Sequence, residues 1–156
     1  MSFLPDGWQA SSSELAGKTI LVTGANRGIG KAVALSCAQH GAEALLLGRD
    51  EAALARVYDQ IIELGCPTPG MIPLDLTTRD PSLYETLVDE LSGANVVLHG
   101  LVHNASVLGE RRALAQTSPS SWDEVLQVNM TAVFLLTRAL MPLLEAAPAA
   151  SVVLTS

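Results

Sequence analysis

Thr23–Gly30, TGANRGIG, is the stretch on which the reading of this chain turns. Before it lies the apolar, β-branched run KTILVTG. After it comes GIGKAVALSCAQHG, whose helical pattern ends at Gly41. A glycine-rich turn between a strand and a helix is a place where a dinucleotide pyrophosphate can sit. Gly24 can turn the chain out of the strand, Gly28 lets backbone approach a phosphate, and Gly30 allows the helix to pack closely on the sheet. The helix start offers free N–H groups, notably around Ile29, and the positive end of its dipole. An isolated glycine cluster is as readily an ordinary turn; the strand–loop–helix setting is what favours the nucleotide.

The same alternation continues outward. EALLLGR reads as strand two and DEAALARVYDQIIELG as a helix capped by Asp50 and ended by Gly65. GMIPLDL reads as strand three, followed by a helix with Asp80 as N-cap and Pro81 at its first position. GLVHNAS is strand four, SPSSWDEVLQVNMTAVFLLTRALMPLLEAA one long helix, and SVVLTS strand five. Strands alternating with helices of this length require parallel strands and right-handed crossovers, so the expected fold is an α/β, Rossmann-type doubly wound parallel sheet of five strands. Residues 1–16 read as an irregular lead-in and 17–156 as one domain.

Composition agrees with that architecture. Hydrophobic residues make up 49% of the 156, charged residues 16% and aromatics 4%, so the core is aliphatic and suits strands covered on both faces. A net charge of -7, with Lys18 and Lys31 the only lysines, argues against nucleic acid as a partner. Cys37 and Cys66 are far apart and read as reduced small hydrophobes, though two cysteines allow one bridge. No signal peptide is visible. The most apolar run is interrupted by Arg138 and Pro142, so no membrane partner is expected and the cytoplasm is the expected compartment.

The glycine spacing, G-x-x-x-G-x-G with Thr23, Ala25 and Ile29, resembles the short-chain dehydrogenase/reductase family. That resemblance implies cofactor contacts from Gly24, Asn26, Arg27, Gly28, Ile29 and Gly30. It extends to LDL, where Asp75 and Leu76 would meet the adenine, and to HNAS, where Asn104 and Ala105 stand at the family's N-A-G element, with His103 and Ser106 as departures. His103 reads as a packed or hydrogen-bonded residue rather than a catalyst. In QVNM the resemblance gives Asn129 a place in the proton relay, through a backbone carbonyl in a helix kink. Ser156, at the end of strand five, is a candidate for the catalytic serine or its predecessor.

Cofactor preference follows from the end of strand two. An acid there would accept from the ribose 2′-hydroxyl of NAD(H). This chain has Gly48 followed by Arg49, with Arg27 a second cation near the same ribose, so NADP(H) is expected over NAD(H). Asp50 is read as the cap of the next helix.

The family chemistry is hydride transfer between nicotinamide and a small carbonyl or alcohol, with a tyrosine acidified by a lysine four residues later. Here the residues four beyond Tyr58 and Tyr84 are Ile62 and Val88, and no lysine follows Lys31. Two expectations compete: the cofactor-binding part of a longer NADP(H)-dependent reductase, inactive alone, or a naturally short, non-catalytic NADP(H) sensor or interaction module. The apolar face of the long helix around Asn129, including Trp122, Met130 and Phe134, leads us to expect a homo-oligomer; ordinary packing could use much of it. Arg111 and Arg112 could border a substrate entrance or simply be solvated.

Overall fold

The structure, a computed structural model, describes residues 10–155. Ser156 and residues 1–9 of the lead-in lie outside the described residues. The elements run β1 (Thr19–Thr23), α1 (Gly28–Gln39), β2 (Glu43–Gly48), α2 (Glu51–Glu63), β3 (Gly70–Pro73), α3 (Ser82–Gly93), β4 (Gly100–His103), α4 (Pro119–Leu126), α5 (Ala132–Glu145) and β5 (Ser151–Leu154). All strand pairs are parallel, in the order β3-β2-β1-β4-β5. The doubly wound sheet expected from the alternation is therefore present.

Successive side chains of a strand point to opposite faces, and the two cores divide accordingly. Ile20 and Val22 of β1 with Ala44 and Leu46 of β2 pack under α1 and α2, against Ala34, Leu54, Val57 and Ile61. Leu21, Leu45 and Leu47 face the other way, onto α3 and α5, meeting Leu87, Leu136 and Leu140. Each such leucine contributes about 1.5–3 kcal/mol on burial, so these alternating aliphatic runs hold both helix layers. Chain order reverses between β1 and β4, which opens a crevice at the carboxyl ends of those strands.

The helix boundaries follow their caps. Asp50 Oδ1 accepts from the Ala53 N–H at 2.9 Å, and Gly65 (φ +68°) closes α2. Asp80 Oδ1 accepts from the Ser82 N–H at 2.9 Å, with Pro81 just outside a helix that starts one residue later than its pattern suggests. Hydrogen-bonded structure precedes β1: the Leu15 N–H donates to the His40 carbonyl at 2.9 Å, and the Leu15 side chain joins the core. Cys37 and Cys66 are both free thiols.

One reading needs correction. The single long helix is instead α4 and α5 joined by a π turn, Gln127–Thr131. The run Pro119–Glu145 is long and apolar enough to cross a membrane by length and composition, yet Leu136, Leu140, Leu143 and Leu144 pack into the core. Among the described residues β5 pairs with β4, and Val152, Val153 and Leu154 are exposed.

His103, at the end of β4, is buried. Thr137 Oγ1 commits its hydrogen to the Val133 carbonyl at 2.7 Å, so at 2.8 Å it accepts from His103 Nε2–H, which sets the Nε2–H tautomer whenever the ring is neutral. Burial pushes its pKa below the usual imidazole value of 6.5. As pH falls below about 6.5 the unfolded chain takes up a proton that the native one refuses, so stability falls there and levels off once the native ring titrates. Thermal melts from about pH 8 to pH 5 should show that decline, and His103→Gln should flatten it; an equal decline in the variant would assign the effect to other groups.

Candidate functional site

The carboxyl ends of β1, β2, β3 and β4 surround a cleft of about 710 Å³, within the size range of ligand pockets. Its floor is made by the glycine loop. Gly24 leaves β1 with φ +66°, and a Cβ there would lie 2.9 Å from Ala105 Cα. A Cβ on Gly30 would overlap the Gly24 carbonyl and Asn104 Nδ2. Gly30 is thus required by the loop and β4 rather than by general helix–sheet packing. Gly28 has φ +55° with open space around its Cβ position, on the cleft side of the loop.

Thr23 explains how the two strand ends are locked together. Its buried Oγ1 accepts from the backbone N–H groups of Asn104 and Ala105, both at 3.0 Å. Asn104 Nδ2 in turn donates to the Thr23 carbonyl at 3.1 Å and reaches the Gly24 carbonyl at 3.5 Å. Asn104 and Ala105 line the cleft, and the side chain of Asn104 braces the glycine loop. Ser106, the departure from N-A-G, is exposed at the same wall.

Helix α1 begins at Gly28 with Arg27 at its cap position and no side chain capping its first N–H groups, so these open to the cleft beside Ile29. Asn26 also borders the cleft. At the end of β2 the buried Gly48 offers only backbone, and its carbonyl accepts from the Leu74 N–H at 3.0 Å. Arg27 and Arg49 lie on the cleft, joined by Arg56 of α2, which the sequence reading missed. Arg49, Asp50, Ala53 and Arg56 recur at three- and four-residue steps on one face, a spacing that could have revealed it. Among the described residues the only ion pair is Arg112 with Glu110, so these three guanidinium groups are uncommitted.

Asp75 both shapes its own turn and lines the cleft. Its Oδ1 accepts from the Thr77 N–H at 3.0 Å, forming a side-chain turn, and the residue still borders the cleft. Leu76 beside it is buried. Tyr58 and Tyr84 sit on α2 and α3 within the two cores, and no tyrosine or lysine borders the cleft among the described residues.

Asn129 lies in the π turn, where its environment differs from the apolar one its sequence neighbours imply, since Met130 and Phe134 are exposed. Its side chain pairs twice with the loop after β4: Oδ1 accepts from the Val107 N–H and Nδ2 donates to the Val107 carbonyl, each at 2.9 Å. The helix widens to a π turn at the position where this side chain is engaged outside it. Asn129→Ala should release the loop, seen as roughly tenfold faster hydrogen exchange at the Val107 amide. Unchanged protection there would show that the loop holds itself.

Comparison with known proteins supports this geometry. Residues 18–156 match the family model described as short chain dehydrogenase. The uncharacterised oxidoreductase YciK of Escherichia coli K12 is 38% identical over 149 residues, covering 96% of this chain and 59% of that protein. A short chain dehydrogenase structure from Salmonella enterica serovar Typhi superposes with a TM-score of 0.91 at 40% identity, covering 96% of this chain and 61% of the other. A structure from Escherichia coli CFT073 complexed with NADPH gives 0.90 at 38% identity, covering 94% and 61%. This chain thus spans about three-fifths of the length of these relatives. From the glycine loop through β5, the chain belongs to the short-chain dehydrogenase family.

Proposed function

We propose that this chain binds NADP(H) in preference to NAD(H), as the cofactor-binding part of an oxidoreductase acting on a small carbonyl compound or alcohol. One observation carries the preference: among the described residues Arg27, Arg49 and Arg56 border the cleft without a carboxylate partner, while β2 ends in Gly48 where a carboxylate would repel a 2′-phosphate. The neighbouring structure complexed with NADPH is further support. The open N–H groups at the start of α1 would receive the pyrophosphate, and the turn at Asp75 the adenine.

When bound, the cofactor supplies a hydride donor or acceptor. The chain's own residues hold and orient it: Asn104 and Thr23 stiffen the loop beneath it, and Asn129 anchors the wall after β4. With no tyrosine or lysine bordering the cleft among the described residues, these residues bind without supplying the proton, so turnover by this chain alone is not expected. Asn129, and Ser156 beyond the described residues, remain the catalytic candidates for the complete protein. Calorimetric titration with NADPH and NADH tests the preference: tighter NADPH binding supports it, and equal affinities refute it.

The protein is further proposed to act in the cytoplasm as a homo-oligomer. Trp122, Met130 and Phe134 are 57%, 65% and 61% exposed along α4, the π turn and α5, an apolar face suited to a second copy. Sedimentation of the complete protein as a monomer would refute that assembly.

A further inference from the structure

The π turn has a second engaged side chain, two residues before Asn129. Gln127 is only 6% exposed, and its Nε2 donates to the Thr78 carbonyl at 2.7 Å, across 49 positions of chain. Thr78 closes the turn that begins at Asp75: the Thr78 N–H donates to the Asp75 carbonyl at 3.2 Å, and the Thr77 N–H to Asp75 Oδ1 at 3.0 Å. Asp75, Leu76 and Thr77 border the cleft. We propose that Gln127 is a positioning residue for the adenine-binding turn, which makes the π turn a two-armed bracket: Gln127 holds the wall after β3 and Asn129 the wall after β4.

The accounting of hydrogen bonds makes the case. The other bonds in residues 75–82 are local, from Thr77 and Thr78 to Asp75, from Asp80 to Thr78 and from Ser82 to Asp80. Among the described residues, the Gln127 amide makes the only hydrogen bond from residues 75–80 to another element. Local bonds set the shape of a turn but not its place relative to the sheet. Packing of Leu76 supplies part of that placement, and a directional bond to the Thr78 carbonyl supplies the rest.

The chemistry required at position 127 is narrow. The group must donate to a carbonyl from a buried site without carrying charge, and must reach across from the helix. A glutamine amide does this; an ionised glutamate has no donor, and a methionine fills the same space with none. The pair of arms also gives the π turn a purpose beyond releasing a carbonyl, because side chains two positions apart engage two separate loops.

This inference rests on the NADP(H) reading, and the test separates the two. The chain and its Gln127→Met and Gln127→Glu variants are titrated calorimetrically with NADP+ and with 2′,5′-ADP, which carries the adenine and phosphates but no nicotinamide, and each is melted thermally. Both variants should lose about fivefold to tenfold in affinity for each ligand, the same factor for both, as expected for one buried hydrogen bond acting at the adenine end. A lower melting temperature with unchanged 2′,5′-ADP affinity would make Gln127 structural only and overturn the proposal. A larger loss for NADP+ than for 2′,5′-ADP would place its effect at the nicotinamide end and overturn it equally. If one variant fails to fold, the other decides, since Met keeps volume and Glu keeps shape. Failure of the unmodified chain to bind NADP+ would instead sink the cofactor reading itself.

Discussion

Replacing both Arg27 and Arg49 with alanine should weaken NADPH binding by about a hundredfold while changing NADH affinity by less than about threefold. A hydrogen bond to a charged group contributes about 1.5–3 kcal/mol. Both guanidinium groups are exposed, so the lower end applies, and two such losses amount to about 3 kcal/mol, or two orders of magnitude. Among the described residues no carboxylate holds either arginine, so the substitutions break no ion pair there, and stability should be nearly unchanged. Arg56→Ala should add a smaller loss in the same direction. Raised salt should mimic the variants, weakening NADPH binding more than NADH binding, because exposed charges are screened. Asp50 does not reverse the preference, since its carboxylate accepts from the Ala53 N–H as the cap of α2. Parallel losses for both cofactors would mean that the arginines shape the cleft rather than read the 2′-phosphate.

The cofactor end of the site was legible in the sequence because it is built from local rules. A strand, a glycine turn and a helix are consecutive, and the positions of Gly24, Gly28 and Arg27 follow from their order alone. Asp50 and Gly65 were readable for the same reason, as caps act on their own helix. The brace between Asn104 and Thr23 was not, because it joins residues 81 positions apart and depends on β1 and β4 becoming neighbours. Gln127 escaped for a similar reason: within its helix it is an ordinary helix former, and only the folded chain brings Thr78 to it. The π turn had one local hint, the poor helix former Asn129, but a hydrophobic pattern at nearly regular spacing concealed the extra residue. The relay proposed for Asn129 reads its backbone carbonyl, whereas the folded chain shows a role for its side chain that no helical periodicity encodes.

The two glycines on either side of Ile29 should fail in different ways when changed to alanine, and Gly30→Ala should be the most damaging single substitution in the loop. A Cβ at Gly30 meets the Gly24 carbonyl and the Asn104 amide, with the Gly24 carbonyl carbon 2.8 Å away. Relief requires moving backbone or breaking the bond from Asn104 to the Thr23 carbonyl, which ties β4 to β1. Overpacking of this kind costs about 1–3 kcal/mol, and a broken buried bond adds to it, so a clear drop in melting temperature is expected together with loss of NADPH binding. Gly28 has no atom within 4 Å of its Cβ position, so alanine there meets only the strain of φ +55°, about 1–2 kcal/mol. Its methyl group nevertheless stands at the cleft, where a phosphate would approach the start of α1. Gly28→Ala should therefore retain most of the thermal stability while losing at least tenfold in NADPH affinity, whereas Gly30→Ala loses both. Melting and titration of the two variants side by side check this. If Gly30→Ala melted like the unmodified chain, the contact between the loop and Asn104 would not be what demands glycine there, and the brace between β1 and β4 would lose its assigned role.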